Sequence, residues 1–125
     1  MNARRIEYHF TVLRVVPHVH TGAFANVGVV LHARTAEYLD MRAITDPDAI
    51  RRIAPDVDVD LLLRYLSCYQ QICRGDERAG PIALVSRSER FHWLSAPRSD
   101  VIQPAPVHEG TCADPDAELA SLYSS

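Results

Sequence analysis

The strongest constraint on this chain is a pair of β-branched, aromatic-rich runs near its start. Residues 7–16 (Glu-Tyr-His-Phe-Thr-Val-Leu-Arg-Val-Val) and 25–33 (Ala-Asn-Val-Gly-Val-Val-Leu-His-Ala) are apolar on both alternating faces. Such runs fit strands covered, at least in part, on both sides. Pro17 closes the first run, because proline cannot donate to a continuing ladder. Pro17 to Phe24 then make a long hairpin loop. Residues 36–43 give a third strand, and the short join Arg34-Thr35 makes it the antiparallel neighbour of the second.

Helical signals take over after this meander. Asp46-Pro47 is an N-cap followed by proline at the first helical position, where a missing N–H costs nothing. A short helix over 47–53 stops before Pro55. The stripe Leu62, Tyr65, Leu66, Tyr69, Ile72, Cys73 follows the spacing of one helical face, behind three carboxylates between Asp56 and Asp60. Gly75 falls at the C′ position, so the main helix covers about residues 58–74. A polar loop at 75–81 precedes short strands expected at 82–86 and 91–95. Pro97, Pro104 and Pro106 keep residues 96–106 extended, and Asp114-Pro115 opens a last helix to about Tyr123. The expected class is α+β: an N-terminal antiparallel three-strand meander packed by one main helix, further short strands and a C-terminal helix. At 125 residues the chain is a single domain, 1–125, with enough surface to close a core without staples.

Charge and composition narrow the function classes. Net charge is −3, so no global basic field recruits nucleic acid or anionic lipid, and every one of the 13 cations is Arg. Without Lys there is no Schiff-base or P-loop lysine chemistry. Residues 1–52 carry seven Arg against five acids, and residues 53–125 six Arg against eleven. That asymmetry fits two halves that attract each other, or anion binding on the sheet. The start has no apolar core of signal-peptide length, and no run of about 20 apolar residues occurs, so a cytoplasmic protein without membrane spans is expected. Cys68, Cys73 and Cys112 are odd in number, without CxxC spacing, and read as reduced thiols. Cys68 and Cys73 point about 140° apart on one helix.

Few constellations carry chemistry. His18-x-His20 has a spacing seen in metal sites, but no HExxH pattern accompanies it, and neither metal nor cofactor is implied. There is no GxSxG, GxGxxG or Walker pattern. The informative residues are polar ones inside apolar strands. Arg14 shares a face with Tyr8, Phe10 and Val12, while Asn26 and Gly28 interrupt the strand that holds Val30 and His32. A guanidinium in such a place either closes a structural pair, with Asp40 a candidate, or faces a pocket holding an anion. A second constellation is Arg90-Phe91-His92-Trp93-Leu94-Ser95-Ala96-Pro97-Arg98, followed by His108-Glu109-Gly110. Arg and aromatic residues interleave there as in single-strand nucleic-acid binders, but the acid surplus of the same half counts against that use. The plainer reading has Phe91 and Trp93 packing while Arg90 and Arg98 pin the Pro-rich loop through backbone carbonyls.

The two stretches Leu13-Arg14-Val15-Val16-Pro17 with Gly22 to Leu31, and Arg90 to Ser99 with His108-Glu109-Gly110 and Asp114-Pro115, resemble the signatures of a bacterial family catalogued as domain of unknown function 3037. The resemblance implies a small intracellular α+β protein, encoded in many cases beside a HipA-like kinase, and no established activity. It singles out Arg14, Pro17, Asn26, Gly28, Arg90, Pro97, Arg98, His108 and Gly110; Ala23 stands where the pattern usually has an acid. Two functions stay open. One is an accessory or regulatory binding protein acting through a protein partner. The other is a small enzyme or ligand-binding domain with Arg14, Asn26, Arg90, Arg98 and His108 around a small anionic ligand; the catalytic residues of such an enzyme are unknown.

Overall fold

Strand pairing begins where the side chains are most β-branched. The computed structural model describes residues 5–16, 24–98 and 101–125. Three strands, β1 (Ile6–Val15), β2 (Ala25–Ala33) and β3 (Tyr38–Ala43), form the expected antiparallel meander, ordered β3-β2-β1. A 3₁₀ turn, Arg34–Ala36, joins β2 to β3 and ends on Glu37 in the left-handed region, φ 51°. Pairing passes from Leu13 with Gly28 to Arg14 with Asn26, so Val27 is one extra residue on β2. This bulge reverses the alternation: Asn26 is exposed, while Gly28, Val30 and His32 are buried. Val27 is not left idle, because its carbonyl accepts from the Ile44 N–H at 2.8 Å. Gly28 is required for a second reason. A Cβ there would lie 2.9 Å from the Arg42 carbonyl oxygen of β3.

The outer side of β1 is closed by two short strands, β4 (Gln103–Pro104) and β5 (His108–Cys112). Proline is tolerated in β4 because this is the sheet's edge. Residues 108–112, His-Glu-Gly-Thr-Cys, were not expected as a strand; β1 holds them in place rather than any β propensity of their own.

Both faces of the sheet are covered. On one face Leu13, Val15, Val30 and Met41 meet Leu62, Leu66, Tyr69 and Ile72 of the main helix α2 (Val59–Arg74), together with Leu94 and Phe91. The short helix α1 (Pro47–Ile53) adds Ile50 to that core. Leu13, Leu62, Ile72 and Leu94 are fully buried, each stabilising the fold by about 1.5–3 kcal/mol. On the other face Tyr8, Val29, Leu31 and Ala33 pack under Leu119 of the C-terminal helix α4 (Pro115–Ser124).

The helix boundaries follow local chemistry. Asp46 accepts from the Asp48 N–H at 3.0 Å and Asp58 from the Leu61 N–H at 3.1 Å. Gly75 ends α2 at φ 70°, the left-handed conformation glycine adopts without strain. The strands expected at 82–86 and 91–95 are not formed. Pro81–Leu84 is a 3₁₀ turn and Arg87–Ser95 is a third helix, α3 in chain order. The reason is the N-cap at Ser86. Its Oγ accepts from the Glu89 N–H at 3.2 Å and donates to Glu89 Oε1 at 3.3 Å. Arg90, Phe91 and Leu94 are then buried at helical spacing. All three cysteines are free, Cys73 and Cys112 buried and Cys68 half-buried. Among the described residues no helix is long and apolar enough to cross a membrane.

Candidate functional site

The edge strand of the sheet builds one wall of a groove. Thr11 Oγ1 donates to the Ala105 carbonyl at 2.7 Å, and the Ala105 N–H donates to the Val12 carbonyl at 2.8 Å. These bonds carry the extended chain from β4 to β5 past two prolines that cannot donate for themselves. Opposite this wall stands the C-terminal turn of α3. Between them lies an open groove of about 550 Å³, lined by Arg14, His92, Ser95, Ala96, Pro97, Pro104, Ala105, Pro106 and Val107. A second hollow of about 490 Å³, lined by Arg5, Ile6, Glu7, Thr35 and Ala36, gathers none of the residues singled out by the sequence.

Arg14 is the one sequence candidate that lines the groove itself. It is half-buried, and its Nε lies 3.5 Å from the Gln103 carbonyl, a marginal hydrogen bond. Its guanidinium carbon sits 3.9 Å from the centre of the Phe24 ring, a cation–π contact. Asp40 is not its partner. Asp40 stands in register with Leu31, which faces Phe10, four residues along β1 from Arg14, or about 13 Å at strand rise. The Asp40 carboxylate instead accepts from the N–H of Met41 at 2.8 Å.

Three other candidates adjoin the groove. Asn26 is the cross-strand partner of Arg14 and is exposed. Arg98 follows Pro97 and is held by three groups: Nη1 donates to Tyr69 Oη at 2.7 Å, Nη2 donates to the Trp93 carbonyl, and the guanidinium lies 4.3 Å from the Trp93 ring centre. Arg98 thus pins the end of α3 through a backbone carbonyl. His108 follows Val107, is exposed, and packs its ring 5.5 Å from that of Phe10.

Arg90 lies elsewhere. It is 7 % exposed, and its Nη1 donates to the carbonyls of Ile72 and Cys73 at 2.8 and 3.1 Å. It caps the C-terminus of α2 rather than the Pro-rich loop, and Gly75 leaves room for it, since a Cβ there would sit 3.0 Å from Nη1. Arg14, Arg90 and Arg98 therefore have three separate sets of partners. Phe91 is buried as the sequence indicated, whereas Trp93 is 38 % exposed beside Tyr69 and Arg98.

His92 and Ser95, which belong to the second constellation but not to the five residues expected around a ligand, line the groove. Their signal is the Ser86 N-cap, which places residues 87–95 on a helix; only then do 92, 95 and 96 share one side of it. Ser95 Oγ donates to the Phe91 carbonyl at 2.8 Å. Gly110 has a packing role: a Cβ would come within 2.7 Å of Tyr8 Oη. That phenol donates to Glu118 of α4 at 2.8 Å, and burial followed by the Glu118 carboxylate pushes its pKa up to about 12. Pro17, His18, His20, Gly22 and Ala23 lie outside the described residues. Among the described residues no group of three His, Cys, Asp or Glu side chains is placed to hold one metal ion.

Comparison with curated proteins and with solved structures gave no match. Comparison with family descriptions gave one, over residues 10–125, a span holding β1 from Phe10 onward, every later element and all the groove's lining residues. The chain belongs to the family described as protein of unknown function (DUF3037).

Proposed function

We propose that this chain is an accessory or regulatory binding protein that acts through a protein partner, and that an extended segment of the partner seats in the groove beside α3. One observation supports the reading above others: a guanidinium set among small, stiff apolar side chains. Pro97, Pro104, Pro106 and Val107 form walls that lose little conformational freedom on contact. Arg14 has five N–H donors, and among the described residues its partners are one carbonyl at marginal distance and one aromatic face. A planar guanidinium with donors to spare is best satisfied by a carboxylate. The occupant is therefore a partner segment that sets an acidic side chain among small apolar ones. Phe24, Trp93 and Val107 are large apolar side chains left exposed nearby, of the kind the centre of an interface buries.

The family resemblance offers a HipA-like kinase as the first partner to test. Co-expression should give a stoichiometric complex that survives size-exclusion chromatography. Arg14→Glu should weaken it at least about tenfold, about 1.4 kcal/mol, with an unchanged melting temperature. A chain that elutes as a free monomer beside the kinase, with no calorimetric signal on mixing, overturns this assignment.

The groove's size favours a second reading. At about 550 Å³ it falls within the range of small-molecule sites, and Arg14, His92 and Ser95 give it three polar groups. In that case a small anion, probed with phosphate and with citrate, raises the melting temperature of the native chain. Arg14→Ala then abolishes the rise and leaves the unliganded melting temperature in place.

A further inference from the structure

His32 is buried between the sheet and α3. It is 6 % exposed, and its ring stacks on Phe91 with centroids 5.3 Å apart and planes 29° from parallel. Among the described residues its Nε2 has no hydrogen-bond partner. The titratable and charged groups around it are His9 from the paired position on β1, Arg34 from the turn leaving β2, and Arg87 and Arg90 from α3; β3 opposes it with the apolar Leu39. Every one of these ionisable groups is a cation or becomes one on protonation. The neutral ring is accommodated, and an imidazolium in its place would be desolvated, unpaired and surrounded by like charge.

We infer that protonation of His32 releases α3 from the sheet, making the His32–Phe91 stack a pH-sensitive clasp. The sign follows from linkage. Burial first, then His9 and the three arginines, hold the folded His32 below the ordinary imidazole range. The open state therefore binds the extra proton, and docking is complete above about pH 6.5 and lost as pH falls below it. His92, Ser95 and Ala96 sit on or end α3, so opening the clasp takes down one wall of the groove whatever the groove binds. The clasp is independent of the function proposed above.

Hydrogen exchange tests it on the full chain, from about pH 7.5 to about pH 5, a window that brackets the imidazole range. After correction for intrinsic exchange, protection of the α3 amides should fall by up to about tenfold per pH unit below about pH 6.5. The α4 amides on the opposite face should hold theirs. His32→Phe, which keeps a ring against Phe91, should flatten the α3 profile. Trp93, the single tryptophan, gives a second reading: in a His92→Gln background, which removes the adjacent imidazole, its emission should shift red over the same range. Flat α3 protection in the native chain overturns the inference, as does a pH dependence that persists in His32→Phe. Should that variant not fold, imidazole NMR of the native chain decides: His32 titrating near pH 6.5 with α3 still protected also overturns it.

Discussion

Replacing Arg90 separates its two contributions, because its stem and its head do different things. The Nη1 atom reaches the carbonyls of Ile72 and Cys73. The Ile72 carbonyl keeps another donor, the Gly75 N–H at 3.1 Å, so the loss falls mainly on Cys73. Arg90→Met retains the stem and removes the donors. Leaving one buried carbonyl unsatisfied costs about 1–3 kcal/mol, and part is returned because a desolvated charge is no longer held; about 1–2 kcal/mol is the expected net loss. Arg90→Ala also deletes two buried methylenes, about 1.6 kcal/mol by transfer, and leaves a cavity, for a total of about 3–4 kcal/mol. In a domain of this size about 4 °C of melting temperature corresponds to each kcal/mol. Thermal unfolding by circular dichroism should therefore show drops of about 4–8 °C and about 12–16 °C. If the Met variant melts with the native chain while Ala falls, the guanidinium caps nothing and Arg90 is a packing residue only. If neither moves, the placement of α3 against α2 is wrong.

Other expectations follow from single contacts. Ser86→Ala removes the acceptor for the Glu89 N–H and should cost about 1 kcal/mol in chemical denaturation; no loss would argue that 87–95 is not a helix in solution. Gly110→Ala drives a methyl into the Tyr8 ring and should cost about 1–3 kcal/mol, with exchange protection falling first in α4. The Tyr8 phenol should ionise near pH 12 by ultraviolet titration. Its contribution to holding α4 should be intact below about pH 10, where free tyrosine ionises, and be lost as pH rises toward 12. A transition at the free-tyrosine value would mean that Tyr8 is neither buried nor bonded to Glu118 in solution.

The parts legible in the sequence are those where side-chain period and secondary structure agree. Strands β1 and β2 are rich in β-branched residues, β3 alternates buried Leu39 and Met41 with Asp40 and Arg42, α1 and α4 begin at Asp-Pro, and α2 carries a stripe closed by Gly75. Helix α3 looks like a strand in sequence because Phe91 and Trp93 stand two apart, while the deciding pair, Ser86 and Glu89, lies upstream of the aromatics. Strand β5 was invisible because its only buried side chain is Cys112; an edge strand's identity comes from the neighbour it pairs with. The candidate site divides in the same way. Arg14 and Arg90 look alike in sequence, each an arginine among apolar residues, yet Arg90 is buried with its Nη1 on two carbonyls of α2, whereas Arg14 is half-buried in the groove wall with one marginal carbonyl contact among the described residues. No local pattern distinguishes them, since the difference lies in what tertiary folding brings near. The same division runs through the positions the family resemblance singles out. Gly28, Arg90, Arg98 and Gly110 are each accounted for by a close approach or a hydrogen bond inside the chain. Arg14 and Pro97 line the groove, and the contacts within the chain leave Arg14's charge without a matching carboxylate among the described residues. A buried residue bonded inside the chain is explained by folding. One that lines an open groove with donors unused among the described residues is where a partner has something to add, so Arg14 rather than Arg90 is the substitution that separates binding from stability.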